Sequence, residues 1–348
     1  MKLQAATLLR RAGTLAGHLP KATAHPAVLN WTVHSRSRTP WVVALSGGMD
    51  SVALLLFVWA HWPERRQLLR AVHYNHRMRG RASDGDEKFC RELCRLLQVP
   101  LWVGRSRTGS VIKNEAQARE LRFACINRLM DKAGAHALWL GHQQNDVAET
   151  MLMRLARSSG AGGLAAPRPV QNMPMRRVHL RPLLNLSRGK IETAMLAARL
   201  PYRTDGTNLT GVYFRNRIRL DVLPVWMEAA GRDVISGVAR ARELLEEDDA
   251  ALEEWTTRLQ ANMAPRRLDL NLCKDVPRAV LRRLLHRWLL AQADAGELSR
   301  QAFDRLLDAL EKGEPTRHSI GVRGFAVIKH RELTFQKNVN YTRKTDRR

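Results

Sequence analysis

Short apolar runs alternate with helical patterns from about Trp41 to Arg203. Val42-Val43-Ala44-Leu45 reads as a buried strand that stops at Gly47-Gly48, and a helix then starts near Asp50-Ser51 and runs through Val52–Trp59. Leu68–Tyr74 and Pro100–Gly104 predict further strands, with a helix over Asp84–Leu97 whose Phe89, Leu93, Leu96 and Leu97 share a face. Glu115–Asp131 reads as a helix, Ala137–Gly141 as a strand and Asp146–Leu155 as another helix. Strands and helices in this alternation predict right-handed crossovers and a parallel sheet, an α/β domain. Ser158–Pro169, rich in Gly, Ala and Pro, predicts a loop; His179–Leu184 predicts a final strand, and Ser187 opens a helix that ends before Pro201.

Beyond Pro224 the pattern becomes mostly helical, over 232–263, Val276–Ala293 and Ser299–Glu311, with short strands in Val322–Phe335. The expected organisation is a basic lead-in segment (1–39), an α/β catalytic domain (40–224), a mostly helical C-terminal region with a small terminal β element (225–336) and a basic, disordered tail (337–348). The acidic patch Glu246, Glu247, Asp248 and Asp249 is expected to be a solvated helix face.

Charge narrows the class. Lys and Arg number 58 against 33 Asp and Glu, a formal net charge of +25 in 348 residues. Such an excess calls for a polyanionic partner. No run of 18 apolar residues predicts a membrane span, and no basic amphipathic helix with an aromatic face predicts surface binding, so nucleic acid leads. The first 49 residues contain no Asp or Glu, which fits a basic lead-in helix, with an organellar transit peptide as the alternative. Cys90, Cys94, Cys125 and Cys273 form neither a disulfide framework nor a Cys-x-x-Cys metal pair; Cys90 and Cys94 are expected on one helix face as buried apolar groups, in a reducing compartment.

The candidate chemistry starts at Ser46-Gly47-Gly48-Met49-Asp50-Ser51, which follows a strand and opens a helix. Two glycines let the backbone turn tightly, and helix N-terminal N–H groups then face a phosphate. The segment lacks the Lys of a Walker A loop. Asp50, a carboxylate beside a phosphate site, implies an intervening Mg²⁺. Arg215, Arg217 and Arg219 stand at alternating positions beside Tyr213 and Phe214, a composition suited to phosphate contact and base stacking. Arg282, Arg283, His286 and Arg287 form a second basic face. His73, His76 and His142 lie at strand ends without metal-ligand spacing; His142 is the one placed near the site.

Ser-Gly-Gly-x-Asp-Ser after such a strand resembles the pyrophosphate loop of the N-type ATP pyrophosphatases, the PP-loop superfamily. Further segments resemble one branch, the tRNA(Ile)-lysidine synthetases: Ala71-Val72-His73-Tyr74-Asn75-His76-Arg77-Met78-Arg79; Asn114-Glu115-Ala116-Gln117-Ala118-Arg119-Glu120-Leu121-Arg122-Phe123; and Gly141-His142-Gln143-Gln144-Asn145-Asp146-Val147-Ala148-Glu149-Thr150. Arg181-Pro182-Leu183-Leu184, Asp205, Asn208 and Arg215-Asn216-Arg217-Ile218-Arg219 continue the match over roughly residues 40–225. Gln143 stands where that family has a second His, and Asn145 where it has its first Asp; Asp146 is retained.

The resemblance implies a Rossmann-like, adenine nucleotide alpha hydrolase fold and ligation of L-lysine to C2 of the wobble cytidine of a CAU-anticodon tRNA(Ile), through an adenylated cytidine. It implies that Ser46 to Ser51 hold the ATP phosphates, that Asp50 and Asp146 serve Mg²⁺, and that Arg119 and Arg122 neutralise charge as AMP is transferred and released. Glu149 and His142 would meet lysine or tRNA, with Arg215, Arg217 and Arg219 on the RNA. A cytoplasmic enzyme with no membrane partner is expected, its oligomeric state open, a homodimer being one outcome. The rival readings are a PP-loop tRNA thiolation enzyme, which typically carries cysteine pairs, and a tRNA-binding protein whose site has degenerated at Gln143 and Asn145.

Overall fold

The computed structural model describes residues 4–35, 38–107, 114–204, 213–261, 263, 267–292, 298–321 and 324–338, and these fall into two compact units, Met1–Glu246 and Glu247–Arg348. Asp205 and Asn208 lie outside the described residues.

In the first unit, helices α1 (Ala5–His18) and α2 (Pro26–His34) lead into strand β1 (Trp41–Ala44). Then come α3 (Met49–His61), β2 (Leu69–Asn75), α4 (Arg81–Leu97), β3 (Leu101–Arg105), α5 (Glu115–Lys132), β4 (Ala137–Trp139) and α6 (Gln144–Leu155). A short helix α7 (Ala161–Leu164), a hairpin of β5 (Val170–Met173) and β6 (Arg177–Leu180), and α8 (Arg188–Ala197) follow. The sheet runs β3-β2-β1-β4-β6-β5. Its first five strands are parallel, with Trp41 paired to Leu69 on one side and to Ala137 on the other; β5 is antiparallel to β6.

Two expectations are corrected here. The stretch 158–169 holds the helical turn α7, and the last strand begins and ends earlier than His179–Leu184 because it turns back on β5. Val170-Gln171-Asn172-Met173 is an edge strand with no fully buried side chain, and its apolar pattern is too thin to read.

Alternation along the strands builds two cores. Trp41, Val43, Leu69, Ala71, Ala137 and Trp139 face a large cluster with α1, α3, α4 and α8, while Val42, Val72, Leu138 and Leu140 face α5. The basic lead-in helix α1 is part of this fold: Leu8, Ala12 and Leu15 are buried in the large cluster. Strand order reverses between β1 and β4, and in open α/β sheets the crevice at the carboxyl ends of such a pair is where ligands bind.

The first unit continues through α9 (Phe214–Arg217), a π-helical turn (Ile218–Val222), α10 (Leu223–Ala230) and the start of α11 (Val234–Gln260). Ile218, Leu223, Val234, Ile235 and Val238 pack with Val147 and Ala148 of α6.

The second unit has α12 (Arg278–Ala291), α13 (Arg300–Lys312) and an antiparallel sheet of β7 (Leu268–Asp269), β8 (Thr316–Ser319), β9 (Gly324–Lys329) and β10 (Glu332–Lys337), ordered β7-β10-β9-β8. Its core holds Leu281, Leu284, Leu285, Trp288, Leu306, Leu307 and Leu333. The acidic patch is not all solvated. Asp249 is buried and accepts from Arg283 at 2.7 Å. Glu253 takes Arg283 at 3.0 Å and also Arg287, so only Arg282 and His286 of the second basic face remain exposed. Among the described residues no helix is long and apolar enough to cross a membrane.

Candidate active site

The loop from β1 to α3 is shaped by one hydroxyl. Ser51 Oγ accepts from the backbone N–H of Ser46 at 3.1 Å and of Gly47 at 3.2 Å, and donates to the Gly48 carbonyl at 2.9 Å. Gly47 takes φ +94°, a conformation open to glycine, and a Cβ there would meet Cys90 Sγ at 3.2 Å. Gly48 caps α3 with no side-chain hydrogen bond, so the first-turn N–H groups from Met49 to Ser51 lack backbone acceptors and face the loop. That is an anion site. Within the expected phosphate-binding run, Ser46 is exposed, the Met49 side chain is in the core, and the Ser51 hydroxyl is spent on the loop. The loop is fastened from a distance: Arg203 N–H donates to the Gly47 carbonyl at 2.9 Å while its Nε holds Asp86 at 2.9 Å. Nothing local in the sequence signals that link.

The neighbouring loop, from β4 to α6, comes close. A Cβ at Gly141 would lie 2.9 Å from the Asp50 carbonyl oxygen. Gln143 and Asp146 then form a reciprocal cap on α6. Gln143 Oε1 accepts from Asn145 N–H at 2.6 Å, and Asp146 Oδ2 accepts from Gln143 N–H at 2.9 Å. Asn145 Oδ1 accepts from Arg188 N–H at 3.2 Å, tying α6 to the start of α8. Both residues that depart from the lysidine synthetase pattern therefore have structural work in which an amide suffices.

Asp50 Oδ1 is buried without a hydrogen-bond partner among the described residues. Its carboxyl is pushed up to about 7, first by burial and then by the charge of Asp146, with Arg188 and Arg219 opposing. Asp146 is also raised, by burial more than Glu149 adds, against Arg215. Two crowded carboxylates with an orphaned oxygen beside an anion site fit a divalent cation shared with a phosphate. No cluster of three or more His, Cys, Asp or Glu forms a protein-only metal site among the described residues.

Glu149 is fully buried, one turn along α6 from Asp146. Its Oε2 accepts from Arg215 Nε at 2.6 Å and its Oε1 from Arg219 Nε at 2.5 Å; Arg215 Nη2 reaches Asp146 Oδ1 at 2.5 Å. Burial works against the Arg215 charge, but Asp146 and Glu149 outweigh it and raise its pKa. The sequence placed Arg215, Arg217 and Arg219 in one alternating row. They sit instead on helical and π-helical turns, so Arg215 and Arg219 turn in to the carboxylates while Arg217 is exposed, 5.8 Å over the Phe214 ring.

Arg119 and Arg122, one turn apart on α5, lie over the Phe123 ring at 4.7 and 5.5 Å. Neither has a carboxylate partner among the described residues. Arg122 is lowered to about 10, chiefly by burial and then by Arg119 and Arg215; Arg119 is lowered in the same direction, first by burial and then by Arg215. Arg181, which the sequence assigned no role, is buried, and each of its three nitrogens donates to a neutral acceptor: Nε to His142 Nδ1 at 2.9 Å, Nη1 to the Arg168 carbonyl at 2.6 Å and Nη2 to Gln171 Oε1 at 3.1 Å. His142 is lowered well below its ordinary value by burial and by Arg181, Arg215, Arg119 and Arg122. The other histidines are set apart: His73 Nδ1 meets the Leu45 carbonyl at 2.8 Å, and His76 stacks edge-on to Tyr74.

A switch-point crevice thus brings together a helix N-terminus, an orphaned carboxylate and a set of unpaired arginines, and the family model for the PP-loop domain matches residues 22–226. This chain belongs to the PP-loop domain family. Within it, the tRNA(Ile)-lysidine synthase of Symbiobacterium thermophilum is 41% identical over 219 residues, covering 62% of this chain and 45% of the relative. That of Geobacter sulfurreducens is 35% identical over 283 residues, 78% of this chain and 58% of the relative. The chain spans about half the length of the curated relatives it matches. Among solved structures, the U34-tRNA thiolase NcsA of Methanococcus maripaludis superposes with a TM-score of 0.51 at 16% identity, covering 69% of this chain and 79% of that one, a likeness of PP-loop fold.

Proposed function

We propose that this PP-loop protein is a cytoplasmic tRNA(Ile)-lysidine synthase, a ligase that joins L-lysine to C2 of the wobble cytidine of a CAU-anticodon tRNA(Ile) at the expense of ATP. One observation carries the reading: the anion-ready first turn of α3 lies against the β4–α6 loop, where Asp146 and Glu149 act on Asp50, and Arg119 and Arg122 act on neighbouring His142. The relatives with that name, matched over 62% and 78% of this chain, support it.

The cytosine O2 is a poor leaving group. It attacks the α-phosphorus of ATP, the bond to the bridging oxygen breaks, and pyrophosphate leaves; the lysine ammonium gives up a proton, its amine then attacks C2, and AMP departs with O2. The loop N–H groups and Ser46 bind the phosphates. Asp50 and Asp146 would hold Mg²⁺, which when bound offsets phosphate charge. Arg119 and Arg122 stabilise charge that grows on the transferred group. Glu149 with Asp146 meets the lysine ammonium in competition with Arg215 and Arg219, and exposed Arg217 contacts RNA phosphate.

The rival readings fare less well. Cys90 and Cys94 are buried and their thiols are pushed up, Cys94 to about 12, so neither is placed to carry sulfur. Gln143 and Asn145 leave the carboxylates in position, which speaks against a degenerate site. The test is pyrophosphate release from ATP with unmodified CAU-anticodon tRNA against the same tRNA already carrying lysidine. Release with the first alone supports the reading; equal release with both contradicts it.

A further inference from the structure

A buried arginine normally has a carboxylate. Arg181 has none among the described residues: it is 3% exposed and donates to an imidazole nitrogen, a carbonyl and an amide oxygen. An arginine cannot accept a hydrogen bond, so the 2.9 Å contact from its Nε requires His142 Nδ1 to be the acceptor. The proton of the neutral ring is then on Nε2. That nitrogen has no partner among the described residues and is not among the sealed polar atoms of the interior. Its surroundings are cationic: Arg119, Arg122 and Arg215 all act on the ring electrostatically.

We propose that Arg181 and His142 form a positioning pair in which Arg181 fixes the Nε2–H tautomer and His142 donates that hydrogen to a non-bridging oxygen of the α-phosphoryl group during adenylyl transfer. This rests on the function proposed above. A neutral donor suits a pocket already crowded with guanidinium groups, because it adds a hydrogen bond without adding repulsion. The same hydrogen bond denies His142 the role of general base, since its accessible nitrogen already carries a proton. The ring neither takes nor gives up a proton in the step; O2 of cytidine bonds to phosphorus as pyrophosphate leaves. His142 would touch the reacting group, and Arg181 acts only through it.

The full chain is assayed in single turnovers with magnesium–ATP and unmodified CAU-anticodon tRNA, following adenylate formation. His142→Phe is expected to slow that step about 10²–10³-fold and to weaken binding of the α,β-methylene analogue of ATP by less, the contact being present but weaker in that complex. His142→Gln, whose amide can donate from a similar place, recovers most of the loss. Arg181→Met slows the step comparably, and the double variant is no slower than His142→Phe alone, as expected of residues acting as one unit. Spectra of ¹⁵N-histidine-labelled protein show His142 neutral and protonated on Nε2, and Arg181→Met turns it into a mixture of tautomers. Multiplying rate losses, or an unchanged tautomer in Arg181→Met, overturns the pair. The wild-type spectrum needs no variant to fold: a shift of the Nε2–H signal on adding the α,β-methylene analogue supports the contact, and no shift overturns it. If wild type fails to adenylate this tRNA, the proposed substrate is wrong, while the spectral tests still decide the pair.

Discussion

Gly141 and Asp50 are packed so closely that a Cβ on the first would lie 2.9 Å from the carbonyl oxygen of the second. This contact sets the β4–α6 loop against the first turn of α3, and so fixes Asp146 and His142 relative to the phosphate-binding N–H groups. Gly141→Ala must push these loops apart. The expected outcome is a loss of about 1–3 kcal/mol of stability and a larger loss of ATP affinity than the stability change alone would give, read by thermal unfolding with and without the α,β-methylene analogue.

Asp50→Asn tests the orphaned carboxylate through pH. Burial and Asp146 raise the Asp50 carboxyl to about 7 from an ordinary 3.8. An acid raised on folding stabilises the fold at low pH, and that contribution is lost as pH rises from the unfolded value through about 7. The Asp50 contribution should therefore fade between pH 4 and 7, so Asp50→Asn should gain on the magnesium-free wild type across that range and be the more stable protein at pH 8, by about 2 kcal/mol after allowance for solvent screening. Activity should be lost in the same variant. Unfolding curves across that range, with and without Mg²⁺, check both signs.

Glu149→Ala leaves Arg215 and Arg219 without their main carboxylate in a buried setting. A stability loss of about 3–5 kcal/mol is expected, far more than for a surface ion pair. Glu149→Gln should retain part of the fold's stability yet raise the lysine concentration needed for half-maximal ligation. Denaturant unfolding and lysine titrations separate the two effects.

Arg122→Met should do the opposite to stability. Its guanidinium has no carboxylate partner among the described residues and is lowered to about 10, chiefly by burial, so removing the charge should leave the folded protein as stable or slightly more so. Adenylate formation should nevertheless fall about 10²–10³-fold. A rate loss at unchanged unfolding midpoint is the expected signature.

The α/β core was legible because each strand is a short apolar run closed by glycine or polar residues, and period-2 alternation then sends Val43 and Val42 to opposite faces. Edge strand β5 was not, since polar Gln171 and Asn172 share its four positions. The phosphate loop was read from Ser46 to Ser51 directly. Its inner wiring was not, because Arg203 reaches Gly47 and Arg215 reaches Glu149 only through the fold. The arginine row was read with a strand's alternation, whereas helical and π-helical turns put Arg215 and Arg219 on one side and Arg217 on the other. Asp249 was assigned to a solvated face from its acidic neighbours; its burial depends on Arg283, which lies on another helix.

The decisive measurement is incorporation of labelled lysine into unmodified CAU-anticodon tRNA with ATP and Mg²⁺, the modified nucleoside being located by mass spectrometry of the digested tRNA. Lysine covalently attached at the wobble cytidine, and absent with Asp50→Ala, is the predicted result. ATP turnover without lysine in the tRNA, or lysine attached at any other position, would contradict it.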